Sequence, residues 1–249
     1  MIGGADFWTL AVIAAIFVGL SKGGLPVIGM LAVPVLALAM SPVAAAGLLL
    51  PVYVASDMVG LYAYRRAYDR RVLAILAPAA LIGIGLGWLT AAIVPEWLVT
   101  GIVGAIGVAF ALTLLLRLRP EGAGRTARLG PGLFWGAVTG YTSFVSHAGA
   151  PPYQVYVLPL RLEKTVYAGT TTVLFAFVNA VKLVPYWALG QLSASNLKAA
   201  AILGLPAILA VLAGVRLVRI LPEALFFRLV TWALFLVSAK HLWDAAAGA

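Results

Sequence analysis

The run Ser21-Lys22-Gly23-Gly24-Leu25-Pro26, followed by Pro34, returns as Ser146-His147-Ala148-Gly149-Ala150-Pro151, followed by Pro159, at an offset of 125 residues. Each copy interrupts apolar sequence. The runs 6–20 and 25–40 flank the first copy and 131–145 and 150–160 the second. All are shorter than the roughly 20 apolar residues of a bilayer-spanning helix. Short, broken apolar segments at corresponding places in two halves of a membrane chain point to irregular backbone sheltered by protein at a binding site.

Two further matches keep the same order. Ala46-Gly47 pairs with Ala168-Gly169 at an offset of 122, and Ile93-Val94-Pro95-Glu96 with Ile220-Leu221-Pro222-Glu223 at 127. Three matches in one order indicate internal duplication. The first repeat is read as 6–117, a linker as 118–130 and the second repeat as 131–243. Each repeat is a broken or re-entrant helix pair followed by three transmembrane helices, at 43–63, 73–93 and 97–117, then at 166–188, 197–215 and 223–243. The expected fold is therefore an all-α polytopic membrane protein.

Composition demands the same class. Of 249 residues, 63% are hydrophobic and 10% charged, against roughly 25% charged in a soluble domain. The net charge of +9 is a topology signal in such a chain and implies no nucleic-acid partner. Arg65, Arg66, Arg70, Arg71, Arg117, Arg119, Arg125, Arg128, Arg161, Lys164, Arg216 and Arg219 all fall in alternate connections, whereas the loops near Ser41-Pro42, Pro95-Glu96 and Gly190-Gln191 are almost free of cations. Cation-rich loops face the cytoplasm. Each half then has an odd number of crossings, so the second is inverted relative to the first and both termini lie outside the inner membrane.

At each break a helix is expected to begin with Pro26 or Pro151, where a missing N–H costs nothing. Its positive end faces the break. Lys22 and His147 occupy equivalent places there, with Ser21 and Ser146 as hydroxyl donors and Gly23, Gly24 and Gly149 permitting close backbone approach. Two such donor-rich nests suit a small anion. The same glycines and prolines also serve tight packing alone. Gln154 and Thr170-Thr171-Thr172 add neutral donors near the second nest. Within the spans lie Asp57 and Lys182, and Asp57 matches Asn179 at the offset of 122 or Lys182 at 125. These three are read as a coupling or charge network through which protons can accompany the substrate. The alternatives are a structural ion pair for Asp57 and a snorkelling Lys182. Trp8, Tyr62, Tyr64, Tyr68, Trp97, Tyr186, Trp187 and Trp243 fall near span ends and read as interfacial anchors.

Other chemistries find little support. There is no cysteine, and His147 and His241 are far apart, so no metal-ligand cluster is visible. Neighbouring Ser146 and His147 seldom face each other and have no orienting acid nearby in sequence. No nucleotide-binding loop occurs, and no cofactor is implied.

The pattern Gly19-x-x-x-Gly23-Gly24-x-Pro26, its echo Ser146-x-x-Gly149-x-Pro151, and the span starts Ala46-Gly47 and Ala168-Gly169-Thr170-Thr171 resemble the sulfite exporter TauE/SafE family of bacterial membrane transporters. The resemblance runs from about residue 6 to 243 and departs from the double glycine at Ala148. It implies a transporter, not an enzyme, for sulfur-containing anions such as sulfite, sulfoacetate or other organosulfonates. The alternatives are an anion channel and a membrane-embedded enzyme acting on a lipid-linked phosphate. The latter needs carboxylates beside the histidine, and Asp57 is the one in-membrane carboxylate.

Overall fold

The computed structural model describes residues 4–90, 92–116, 124–192 and 194–247. Arg117 and Arg119, and residues 118–123 of the stretch read as a linker, lie outside them. Among the described residues the chain is all helical: α1 (Ala5–Lys22), α2 (Ala32–Leu36), α3 (Pro42–Tyr64), α4 (Arg70–Thr90), α5 (Glu96–Leu115), α6 (Leu129–Val145), α7 (Ala150–Val157), α8 (Lys164–Ala188), α9 (Ala194–Ile220) and α10 (Glu223–Ala247). Two 3₁₀ segments, Pro26–Leu31 and Leu158–Leu160, adjoin α2 and α7. Seven helices are long and apolar enough to cross a membrane, namely α1, α3, α4, α5, α8, α9 and α10. Large apolar side chains such as Leu89, Leu205, Leu236 and Trp243 stand exposed on them, a surface that lipid covers and water would not tolerate. The protein is an all-α, multi-pass membrane protein.

The chain turns back at Gly23–Leu25, and the 3₁₀ segment and α2 pack along α1. Phe7, Ala11, Ala14 and Val18 of α1 meet Ala32, Val33 and Leu36 in one apolar cluster. The second break likewise folds α7 onto α6. Among the long helices, α1 packs on α9 as α6 packs on α4, α3 lies on α8, and α5 lies on α10. This set of contacts is unchanged when α1, α3, α4 and α5 are exchanged with α6, α8, α9 and α10.

Small residues make these crossings close. A Cβ on Gly19 would stand 2.1 Å from the Ala207 carbonyl, and one on Gly140 2.0 Å from that of Ala80. In lipid, such backbone approach replaces the hydrophobic drive that water supplies elsewhere.

Candidate functional site

The two breaks are built differently. In the first, the Gly23 N–H closes the last turn of α1 on the Gly19 carbonyl, and Gly24 adopts φ +113. That conformation suits glycine. Tyr64 Oη donates to the Gly23 carbonyl at 2.6 Å, pinning the turn from α3. In the second break Gly149 has φ −73 and the left-handed residue is His147, at φ +53. The Ser146 and Ala148 N–H groups both donate to the Thr142 carbonyl. With Ala148 in place of a glycine, the reversal moves to the residue that carries the imidazole. Histidine is among the types enriched in that region, and non-glycine residues held there concentrate at functional sites.

The expected helix starts are also modified. Pro26 opens a 3₁₀ segment, not an α-helix, and α2 is a single short turn further on. Pro34 has no N–H to return to the Met30 carbonyl, so one helical bond is missing where the 3₁₀ segment gives way to α2. The hydrogen-bond geometry of a 3₁₀ segment is also poorer, so the first break lacks the α-helical dipole end expected of it. In the second half α7 does start at the break, yet Pro151 and Pro152 take two of its first three positions. They remove two of the donors that a helix N-terminus would offer. Polar recognition between the breaks therefore falls mainly to side chains.

One cavity of about 50 Å³ lies between the breaks and is lined from both. Ser21, Lys22, Pro26, Gly29, Met30 and Tyr53 come from the first half, and Ser143, His147, Gly149, Ala150, Thr171, Thr172, Phe175, Asn179 and Lys182 from the second. Lys22 Nζ forms an ion pair with Asp57 Oδ1 at 2.9 Å, both side chains being at most 5% exposed. Asn179 Nδ2 donates to the other oxygen, Oδ2, at 2.8 Å. The ammonium of Lys22 stands 5.2 Å from the ring centre of Tyr53 and 5.9 Å from that of Phe175, within cation–π range. Thr172 Oγ1 donates to the Lys22 carbonyl at 3.1 Å, tying α8 to the end of α1.

Among the described residues, no carboxylate stands at hydrogen-bond distance from Lys182. Its ammonium donates to the Ser143 carbonyl at 2.8 Å and lies 3.4 Å from His147 Nδ1. An ammonium only donates, so Nδ1 accepts and the ring proton belongs on Nε2. That nitrogen meets Tyr186 Oη at 2.8 Å. His147 is thus a neutral link between Lys182 and Tyr186 in this arrangement.

Of the residues singled out from the sequence, Ser21, Lys22, Pro26, His147, Gly149, Asn179 and Lys182 line the cavity. Asp57 stands behind Lys22 and Asn179, joined to both. Gly23 and Gly24 form the turn instead, and a Cβ on Gly23 would stand 2.6 Å from Gly214 Cα of α9. Ser146 Oγ bonds back to the Thr142 carbonyl and faces a neighbouring cavity. Pro151 and Gln154 do not line the central cavity; Gln154 is fully buried in α7. Lys182 is 2% exposed and points inward, so the snorkelling alternative does not describe it.

Sequence reasoning passed over Tyr53, Ser143 and Phe175. The offset of 122 that pairs Asp57 with Asn179 also pairs Tyr53 with Phe175, one helical turn earlier, and Tyr64 with Tyr186. That correspondence was the available signal. Tyr64 and Tyr186, expected as interfacial anchors, are instead 2% and 4% exposed, with their hydroxyls on the two breaks. Tyr62, Trp97, Trp187 and Trp243 are exposed, as an anchor requires.

A second cavity, of about 230 Å³, opens among the cation-poor loops and is lined by Pro42, Val94, Glu96, Leu189 and Gln191. His147 belongs to the walls of both cavities, and Tyr186 to the outer one. Towards the cation-rich loops the space is filled by Tyr64, Val72, Tyr153, Tyr167 and Phe226. His147 thus stands as a shared wall between the central cavity and the one among the cation-poor loops.

Comparison with curated proteins and with solved structures returns no match. The family model described as "Sulfite exporter TauE/SafE" matches residues 11–241 of the 249, which takes in both breaks and every helix that lines the cavity. The chain belongs to the sulfite exporter TauE/SafE family, a family of membrane transporters.

Proposed function

We propose that this protein is a secondary transporter that moves small sulfur-containing anions, such as sulfite or organosulfonates, across the bacterial inner membrane by alternating access. The observation that carries the proposal is the cavity lined from both breaks and holding Lys22, Lys182 and His147. A buried cation in a membrane protein is expensive unless it is paired or used. Lys182 has no carboxylate partner among the described residues, and an anion supplies one.

Two inverted repeats, 6–117 and 131–243, joined by a cytoplasmic linker at 118–130, form the moving halves in this reading. Both termini lie outside. Support comes from the exchange pattern of helix contacts and from the direct bond between Asp57 and Asn179, which match at the offset of 122. Rocking one half against the other exposes the cavity to alternate sides. Closure by Tyr64 at one break and Tyr186 at the other gives each side a gate of the same kind. Export of an anion runs with the inside-negative potential, worth about 2.3 kcal/mol per charge per 100 mV. Import needs a cation, and Asp57 is the group placed to take a proton. Its protonation releases Lys22 from the ion pair.

Counterflow in liposomes containing the purified protein tests this reading. Labelled sulfite outside should accumulate transiently against an excess of unlabelled sulfite or organosulfonate inside, with saturable rates. Flux without counterflow would assign a channel, and no flux of any of these anions would remove the substrate class.

A further inference from the structure

The charge carried by the cavity selects among oxyanions of one size. Its wall contains two ammonium groups, Lys22 and Lys182, and no carboxylate. Lys22 is cancelled by Asp57 immediately behind it. Lys182 is held by a carbonyl and a neutral imidazole, which orient its charge without cancelling it. The remaining titratable groups against the site are Tyr53 and Tyr186, together with Glu96 in the outer cavity. With Lys182 protonated, the site presents one net positive charge, located on that ammonium. The cavity volume of about 50 Å³ is that of about two waters at their liquid share of about 30 Å³ each, which suits a compact oxyanion.

We infer that the cavity takes its substrate as a small monoanion seated on Lys182, and that neutralising Asp57 converts it to a site for a dianion shared by Lys182 and Lys22. This deepens the transporter reading above and rests on it. A dianion entering with a proton on Asp57 and a monoanion entering alone leave the buried site with the same total charge. Nothing in the neutral lining distinguishes the two: the hydroxyls of Thr171 and Thr172 already donate to the Tyr167 and Lys22 carbonyls, and the Asn179 amide donates to Asp57, so these groups select neither anion. Charge is the remaining discriminator, because a like or unmatched charge in a water-poor cavity costs far more than a mismatched hydrogen bond.

Methanesulfonate and sulfate separate the two cases. Each has five heavy atoms, and at neutral pH they carry one and two negative charges. Affinities are read from anion-dependent shifts in unfolding temperature and from competition with labelled sulfite, on the purified full-length protein at constant ionic strength. The wild type should bind methanesulfonate about ten- to hundredfold more tightly than sulfate, the range set by one charged hydrogen bond. Lys182→Met should lose both anions and Lys182→Arg should recover methanesulfonate. Asp57→Asn should reverse the order, with sulfate restoring much of the unfolding temperature that the substitution removes. Should that variant not fold, the double replacement Lys22→Met with Asp57→Asn returns the site to one net positive charge. It should keep the monoanion preference at reduced affinity. Equal affinities, or a preference for sulfate in the wild type, would overturn the charge assignment while leaving the transporter reading intact. Failure to bind sulfite, methanesulfonate and sulfate alike would instead overturn the transporter reading at this site.

Discussion

Replacing Lys22 by methionine removes one side of the Lys22–Asp57 pair and leaves a carboxylate that is 1% exposed. At 2.9 Å two unit charges attract by about 6 kcal/mol when the effective dielectric constant is about 20. Part of that attraction offsets the cost of taking both groups out of water. Breaking such a pair from one side typically costs about 3–5 kcal/mol. At about 2–4 °C per kcal/mol for a chain of this size, the unfolding temperature should fall by about 6–20 °C. Asp57→Asn should cost more than Lys22→Met, because Lys182 is within electrostatic reach of both groups. Removing the carboxylate strands two cations, whereas removing Lys22 leaves Asp57 with Lys182 nearby and with the amide of Asn179. The double variant keeps an acceptor for Asn179 and contains neither charge, so its loss should lie within about 1–2 kcal/mol of wild type. Thermal unfolding of the four proteins in one detergent, read by tryptophan fluorescence, gives the cycle. Additive losses in the double variant, or a fall of less than about 2 °C for Lys22→Met, would refute the ion pair as an energetic unit.

Three further outcomes are expected. Gly24→Ala places a Cβ at φ +113, within 2.9 Å of Ala168 Cβ and Tyr64 Oη; it should cost about 1–3 kcal/mol in an unfolding assay. Gly204→Ala, whose Cβ meets nothing within 4 Å, should leave stability unchanged or raise it by up to about 1 kcal/mol. The chain has no native cysteine, so single cysteines report topology cleanly. One at Ala67 or Ala123 should label from the cytoplasmic side alone, and one at Ser193 from the outside alone, Ala123 and Ser193 being outside the described residues. Labelling of Ala67 and Ser193 from the same side would contradict the proposed orientation.

The breaks were legible because glycine and proline act on the backbone directly. Ser21–Pro26 and Ser146–Pro151 mark reversals in the structure, and the spans between them follow from hydropathy alone. What the motif could not convey was the conformation inside each break. Pro26 reads equally as the first residue of an α-helix or of the 3₁₀ segment that it opens. Ser146 and His147 are adjacent in sequence, but the left-handed turn sends them to different cavities. Gln154 matches Gly29 at the offset of 125, and the glycine is the one at the cavity. Tyr64 and Tyr186 sit where interfacial aromatics sit. Only tertiary packing, which turns their hydroxyls onto the breaks, distinguishes them from Trp187.

The bond between Asp57 and Asn179 bears on how such a chain could have arisen. Under the proposed duplication, a residue that touches its own counterpart faces itself in any assembly of two identical halves. Two copies of the first half would set carboxylate against carboxylate, a pair that stays together by sharing a proton. Two copies of the second half would set amide against amide and present a histidine where Lys22 stands. Neither homodimer reproduces the arrangement found here, in which one side supplies the charge and the other the donor. Fusion into a single chain freed this position to differ between the halves, so an ancestor assembled from two copies of the first half would have carried an acid-dependent contact where this protein has a permanent one.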